Sequence, residues 1–496
     1  QNILDFEKDY PDAKVVLLEQ NYRSTKYILA SANALIQNNG NRIKKNLFTD
    51  ETEGKKVHLY RGTTEKDEAN FVIEQILQNS DTRKYKDFAV LYRTNAQSRV
   101  MEEALLKSNI AYTMVGGHKF YDRQEIRDII SYLNILSNHR DGFSFRRIIN
   151  KPKRGIGPKS LEKLDEFRQL YNFSEVEATM HISLSDITGK AGKELDTFGQ
   201  MMVKILEGIA SKTVTEITET VLNQSGYLAD LKQQKSIEAQ TRIENLEEFL
   251  SVTKHFDEEW EPVEGETRLS SFLNDLALVS DVETEDAAEK NEVTLMTIHA
   301  AKGLEFPVVF VLGVEEGVFP LKRAMEEIEE LEEERRLAYV AITRAEEELF
   351  LLHAEARTLY GETKYNRPSR FLSELGEENT VSSGSARTRN TSFNVRYADG
   401  DQVFSGGKRM SLEQAMASLN VKKTKEITPF MKNVEEKKST VVPLDWAVGD
   451  IALHKLWGEG VVRKLHGAGE DLELDIAFPE KGMKRLLVKF APITKK

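Results

Sequence analysis

The 496-residue sequence contains no cysteine. Disulfides, thiolate zinc sites and thiolate-held iron–sulfur clusters are excluded, and the composition suits a reducing cytoplasm. No apolar run approaches the roughly 20 residues that a membrane-crossing helix needs, and no signal-peptide pattern opens the chain. Both absences point away from a membrane partner. A P-loop is missing too. That cradle needs GxxxxGK followed by Ser or Thr, because backbone N–H groups and the lysine hold phosphates while the hydroxyl holds Mg²⁺. The Gly–Lys pairs here are followed by Lys56, Ala191, Glu194 and Arg409. No strand-like run ends in an Asp–Glu pair suited to Mg²⁺. The phosphate-cradling half of a nucleotide site is therefore absent from this sequence.

What is present suffices for about three domains, with 40 % apolar residues to build their cores. Net charge is −12, from 69 basic and 81 acidic residues. Taken alone, this balance argues against nucleic-acid binding. The charges are unevenly spread, however. Acidic residues gather at 281–292 and 326–334, basic ones at 42–56 and 151–163. A local basic groove needs no basic whole.

The chain is organised around NEVTLMTIHAAKGLEFPVVFVL, residues 291–312. Its two apolar runs, Val293–Met296 and Val308–Leu312, are short and rich in β-branched residues. Such runs read as strands buried on both faces of a parallel sheet. Between them lie Thr297, His299, Lys302 and Glu305. Ligands of open α/β sheets sit where loops leave the carboxyl ends of strands, so this connector is a candidate site.

Upstream, strand and helix alternate. Val15–Leu18, Val57–Tyr60, Phe88–Tyr92 and Tyr112–Val115 read as strands. Ser24 or Thr25 caps a helix to about Asn38, and helices follow at Glu65–Gln78 and Gln97–Ser108. Arg93, Thr94 and Asn95 fall at the carboxyl end of their strand, where a guanidinium and two small polar groups suit phosphate contacts. From Tyr121 the pattern is helical: 121–137, 160–171, 190–211, 214–225, 237–256 and 268–279. Residues 121–285 thus form a helical insertion within an α/β domain made of 1–120 and 286–376.

Within the insertion, Lys151–Leu164 reads KPKRGIGPKSLEKL. Gly155, Ile156 and Gly157 before a helix let backbone N–H groups approach phosphate, while Lys153 and Arg154 add charge. After the second strand, Glu326–Thr343 reads as a helix and Glu348–His353 as a strand. Arg335 is expected to pair with helix glutamates at i−3 or i−4, and Arg344 at the helix end can point across a domain interface. Residues 377–444 read as a disordered linker with one short helix at Ser411–Leu419. Residues 445–496 regain strand character with glycine-bearing turns, as in a small barrel of about five strands.

Three strings carry a family resemblance: QNYRS at Gln20–Ser24, TIHAAKGLEFP at Thr297–Pro307, and EEERRLAYVAITRA at Glu332–Ala345. They resemble motifs IV, V and VI of the UvrD/PcrA-type superfamily 1 DNA helicases. One departure is Ala341, where that family usually has glycine. LYRTNAQSR at 91–99 resembles a segment that contacts single-stranded DNA, and the GIG hairpin resembles a helix-hairpin-helix grip on duplex phosphates. The terminal segment resembles the Tudor-like, SH3-like barrel of the PcrA branch. The resemblance implies an α/β fold. A RecA-like domain (2A) carries a helical insertion (2B), and a first RecA-like domain would precede motif IV.

The resemblance also implies ATP-driven 3′→5′ translocation along single-stranded DNA and unwinding at duplex junctions, in repair and replication. Arg23 and Arg344 match the arginines that reach the γ-phosphate, Tyr22 matches the ring stacked on adenine, and Glu305 matches the carboxylate near ribose and phosphate. Thr297 and His299 match strand-contacting residues. Mg²⁺ would be held mainly by the other lobe, and RNA polymerase is the implied partner of the barrel. Two alternatives are an ATP-independent module that binds DNA and RNA polymerase, and a helicase subunit of a repair nuclease. The absence of a carboxylate–lysine cluster after Arg370 counts against the latter. An in-frame P-loop upstream of Gln1 would separate the first reading from the ATP-independent one.

Overall fold

A computed structural model describes residues 19–40, 47–262, 265–280, 291–384, 403–405, 408–410, 446–455, 457–469, 472–479 and 481–496. Contacts divide the chain into two compact units, 1–384 with 446–496, and 385–445. Within the second, Val403–Ser405 and Lys408–Met410 pair antiparallel. The expected strand at Val15–Leu18 and helix at Ser411–Leu419 lie outside the described residues.

The first unit is built on an eight-stranded sheet. Its strands are β1 (Val57–Thr64), β2 (Phe88–Tyr92), β3 (Tyr112–Val115), β4 (Val293–Thr297), β5 (Phe306–Val311), β6 (Ala345–Leu359), β7 (Glu362–Lys364) and β8 (Thr380–Gly384). The order is β3-β4-β2-β5-β6-β1-β8, all parallel, with β7 turned back antiparallel on β6. Every residue of β2 is buried. Side chains alternate across a strand, so Ala89 and Leu91 enter one apolar cluster while Phe88, Val90 and Tyr92 enter another. Val309 and Val311 of β5 join the first, Val308 and Phe310 the second. Helices α1 (Lys26–Ile36) and α13 (Ile328–Ile342) cover one face, and α2 (Glu65–Gln78) and α3 (Ser98–Lys107) the other. Coverage on both faces explains why these strands read as unbroken apolar runs.

The linker begins later than the sequence implied. Residues 377–384, assigned to it, form a 3₁₀ turn and then β8, which pairs with β1 from Val57↔Thr380 to Arg61↔Gly384. The polar composition that reads as disorder is that of an edge strand with exposed side chains. β6 is also longer than the expected 348–353.

The chain from Gly116 to Glu292 leaves edge strand β3 and returns to its neighbour β4, as expected for an insertion. Its helices are α4 (Gln124–Ser137), α5 (Gly142–Ile148), α6 (Pro158–Tyr171), α7 (Glu175–Met180), α8 (Gly189–Leu206), α9 (Val214–Gln224), α10 (Tyr227–Gln234), α11 (Ile237–Glu259) and α12 (Arg268–Ser280). They enclose a separate apolar core. The short α5, α7 and α10 were missed, because fewer than three turns show little periodicity. Capping boxes at Ser174/Glu177 and Thr213/Glu216 fix the starts of α7 and α9.

Residues 446–496 form an antiparallel five-stranded sheet. Its strands are β11 (Ile451–His454), β12 (Gly458–His466), β13 (Glu473–Phe478), β14 (Gly482–Leu487) and β15 (Ile493–Lys495), with β9 and β10 being the 403–410 pair. Gly460 lies in β12 because a Cβ there would sit 2.6 Å from Ile476 and Phe478. The His454 ring is 1 % exposed, stacked 4.0 Å from Trp457, and its Nδ1 accepts the Trp457 N–H at 3.2 Å. Burial lowers its pKa to about 4. The unfolded chain therefore binds a proton between pH 6.5 and about 4 that the folded barrel refuses. Barrel stability is expected to fall by up to about 3 kcal/mol as pH drops through that window. Tryptophan-detected unfolding at pH 7 and pH 4.5 measures it, and His454→Gln should flatten the dependence.

Candidate functional site

Parallel strands place like ends together, so the candidate residues fall on two rims of the sheet. The connector after β4 does not keep its polar residues in one loop, contrary to expectation. Thr297 ends β4 level with Tyr92, whereas Glu305 precedes β5 at the level of Tyr85, about seven residues lower in register. At ~3.3 Å per residue the two lie roughly 20 Å apart along the sheet. A parallel crossover must travel from a carboxyl end back to an amino end, which separates them.

At the amino rim, Glu305 and Arg344 are neighbours because Phe306 N–H donates to Arg344 C=O at 3.0 Å. The turn at 20–25 is stapled to the same place. Ser24 Oγ donates to Ala345 C=O at 2.7 Å, and Thr25 N–H to Glu346 C=O at 3.0 Å. The Asn21 side chain accepts the N–H groups of Arg23 and Ser24 at 3.0 and 2.9 Å, shaping the turn. Arg23 pairs with Glu305 and donates to Thr343 C=O at 3.2 Å. Arg344 donates to the carbonyls of Leu304 at 2.8 Å and Val340 at 3.1 Å, and to Thr343 Oγ1 at 3.2 Å. Burial, and then the nearby Arg23 charge, lower the Arg344 pKa. Tyr22 is 76 % exposed, with its hydroxyl donating to Gln20. Two cations and an open aromatic ring thus converge on one rim, and a polyphosphate attached to a planar base has the matching chemistry.

At the carboxyl rim, β2 and β4 bring Arg93, Thr94 and Asn95 beside Thr297 and His299. Arg93 is not poised for phosphate as expected. Its guanidinium makes a bidentate pair with Glu334 of α13 at 2.6–3.1 Å, and the two side chains are 13 % and 5 % exposed. Thr94 and Gln97 cap each other's turn, and the Asn95 carbonyl accepts from Arg123 and Ser98. His299 is exposed, and its pKa is lowered by partial burial and by Arg93, so it is a neutral donor or acceptor at pH 7.

In the insertion, Gly155 takes φ +73°, open to glycine at little cost, and Gly157 caps α6. Lys153 and Gly155 are exposed, and Ile156 is buried with its N–H on Asn150 Oδ1 at 3.1 Å. Arg154 departs from expectation. It turns inward, donating to the carbonyls of Ile148, Ile149 and Ser225 at 3.0–3.3 Å and to the Tyr132 hydroxyl at 3.0 Å. It shapes the loop from behind, leaving Lys153 to face solvent.

Arg335 does not pair with helix glutamates. It bonds Glu374 at 2.7 Å and Asn39 at 2.7 Å, while Arg336 takes Glu332 and Glu333. Helix phase decides this, since Arg335 shares the inward face with Leu337 and Ala338. Glu334 and Asn21 were missed as site residues. The i+4 and i+7 spacing from Glu334 to Ala338 and Ala341 was the available signal for the first, and the turn propensity of asparagine for the second.

Residues 16–356 match the family model described as the UvrD-like helicase C-terminal domain. The chain belongs to the UvrD-like helicase family. Residues 448–495 of this family member also match the PcrA/UvrD tudor domain. The ATP-dependent DNA helicase PcrA of Bacillus subtilis is 47 % identical over 503 residues, covering 100 % of this chain and 64 % of that protein. The PcrA helicases of Leuconostoc citreum and Staphylococcus aureus are 46 % and 45 % identical, each again matched over 64 % of its length. The chain thus spans just under two thirds of the curated relatives it matches, and matches the UvrD-like family in its C-terminal domain.

Proposed function

We propose that this chain is the second motor lobe of an ATP-dependent 3′→5′ DNA helicase that acts in DNA repair and replication in the cytoplasm. The reading rests on Arg23 and Arg344 meeting at one rim with Tyr22 open beside them. ATP sits against that rim, held by a P-loop domain. Tyr22 stacks on the base, Glu305 meets the ribose, and the two guanidiniums neutralise charge that develops on the γ-phosphoryl oxygens. Among the described residues no cluster of acidic or histidine side chains suits a metal, so Mg²⁺ is assigned no residue here.

Single-stranded DNA crosses the carboxyl rim at Thr94, Asn95, Thr297 and His299, with Arg93 positioned by Glu334. Lys153 and the backbone of Gly155 and Gly157 take duplex phosphates; Ile156, contrary to expectation, does not, because its N–H and C=O are both bonded to the Asn150 side chain. The barrel offers a docking module for RNA polymerase. No helix among the described residues is long and apolar enough to cross a membrane.

The test joins this chain to a preceding P-loop domain in one polypeptide. DNA-stimulated ATP hydrolysis and 3′→5′ unwinding are expected from the joined protein, and negligible hydrolysis from the 496-residue chain alone. Turnover by the chain alone, or none after joining, overturns the reading.

A further inference from the structure

We propose that the terminal barrel is a brace that fixes the orientation of the helical insertion on the sheet domain. The barrel is seated on both. On the sheet side, Leu487 and Phe490 are 6 % and 8 % exposed and enter the apolar cluster of Phe71, Val72, Met101 and Leu105 from α2 and α3. Lys489 pairs there with Glu74 of α2, and Glu473 with Lys107 of α3. On the insertion side, Arg485 of β14 reaches Asp275 of α12 at 3.0 Å. The same guanidinium is anchored within the barrel by Asp475 at 2.7 Å and is 10 % exposed.

A single arginine thus spans from a barrel strand to an insertion helix. Burial would raise the Asp475 pKa, but hydrogen bonds from His466 and Arg485 outweigh it and hold the carboxylate near pKa 2. Asp475 is therefore ionised throughout the neutral range and keeps Arg485 aimed. The insertion is otherwise tied to the sheet domain by contacts such as Arg99–Glu248 at 2.8 Å and Gly361 N–H to Ser251 Oγ at 2.7 Å. The barrel adds a third body touching both sides of that junction. A swivel of α12 relative to α2 and α3 must break either the Asp275 bond or the Glu74 and Lys107 bonds. A barrel pulled away by a partner would release the insertion.

The absence of native cysteine makes the test direct. Asp81→Cys on the sheet domain and Lys193→Cys on α8, both exposed, accept a donor and an acceptor dye on the full chain. The braced protein should give one narrow energy-transfer peak. Asp275→Arg changes only the insertion side of the seat and leaves barrel residues intact. The displaced population should then rise about tenfold, the change expected from losing one part-buried charge-assisted bond. Asp275→Glu, which keeps a carboxylate for Arg485, should largely retain the narrow peak, with Trp446 and Trp457 emission reporting an intact barrel throughout. A distribution unchanged by Asp275→Arg overturns the proposal. So does an Asp275→Glu variant as displaced as Asp275→Arg while tryptophan emission stays native.

Discussion

Arg344→Ala, placed in the polypeptide joined to a P-loop domain, is expected under the proposed function to lower DNA-stimulated ATP hydrolysis by about 10³-fold or more, the range for removing an arginine finger. The effect should fall on kcat, with little change in KM for ATP, because the cation acts on charge that appears in the transition state. The geometry explains why one side chain carries so much. Arg344 is 9 % exposed, its donors rest on the Leu304 and Val340 carbonyls, and a second guanidinium lies nearby. Glu305 already pairs with Arg23 and partly offsets the repulsion between the two cations, so a phosphate at this rim would compete with that carboxylate for Arg23. Arg344→Lys should recover little, since an ammonium lacks the planar fork. Removing the guanidinium leaves the Leu304 carbonyl unpaired at a cost of about 1 kcal/mol, while the Val340 carbonyl keeps the Thr343 hydroxyl, so a melting curve near the parent's would separate lost chemistry from lost fold. Parental turnover in Arg344→Ala would remove the finger role.

Arg357→Met is expected to be the most damaging substitution for stability, by about 3–5 kcal/mol. Arg357 lies between Glu315 and Glu68, with Nε and Nη2 on Glu315 at 2.7–3.2 Å and Nη2 also on Glu68. All three side chains are at most 4 % exposed. Glu315 is further held by Ala354 N–H and Asn366, and Glu68 by Gly313 N–H. Without the cation, two carboxylates remain buried beside each other. Burial already pushes the Glu68 pKa up to about 7, against the pull of Arg357. A carboxyl whose folded pKa is raised loses stability as pH rises through it. The deficit of Arg357→Met should therefore be larger at pH 8 than at pH 5 in chemical denaturation. Glu68→Gln in the parent should flatten the stability profile between about pH 4.5 and 7. An equal deficit at both pH values would mean the carboxylates had found other partners.

The sheet, the insertion and the barrel were legible because each rests on local periodicity. β2 and β5 read as buried strands, and long helices such as α11 announced themselves over several turns. The tyrosine–arginine turn and the arginine before β6 were legible through motif strings, and they do meet. What stayed hidden was the choice of charge partner. Arg93 and Glu334 are far apart in sequence, as are Arg335 and Glu374, and nothing local tells an arginine that faces solvent from one that faces a carboxylate across the fold. Arg154 looked like a phosphate ligand because its neighbours are lysines, yet nearby carbonyls claim it. β8 was hidden for a different reason, since an edge strand buries too little to require an apolar pattern.

The segment from Thr297 to Glu305 has a consequence for cooperativity. Ile298 and Ala301 pin its first half at 0 % exposure, whereas Lys302 to Glu305 are exposed. One short peptide therefore ends at both proposed ligand faces, and its exposed half is tied to the amino rim by the Arg23–Glu305 pair and by the Leu304 carbonyl on Arg344. A ligand that takes up Arg23 or Arg344 would reset those ties at one end of the peptide, while a ligand at Thr297 and His299 would act on its other end. The two sites would then be coupled with no displacement of a strand, and a change in amide hydrogen exchange at 302–305 on adding DNA alone is the signature of that linkage.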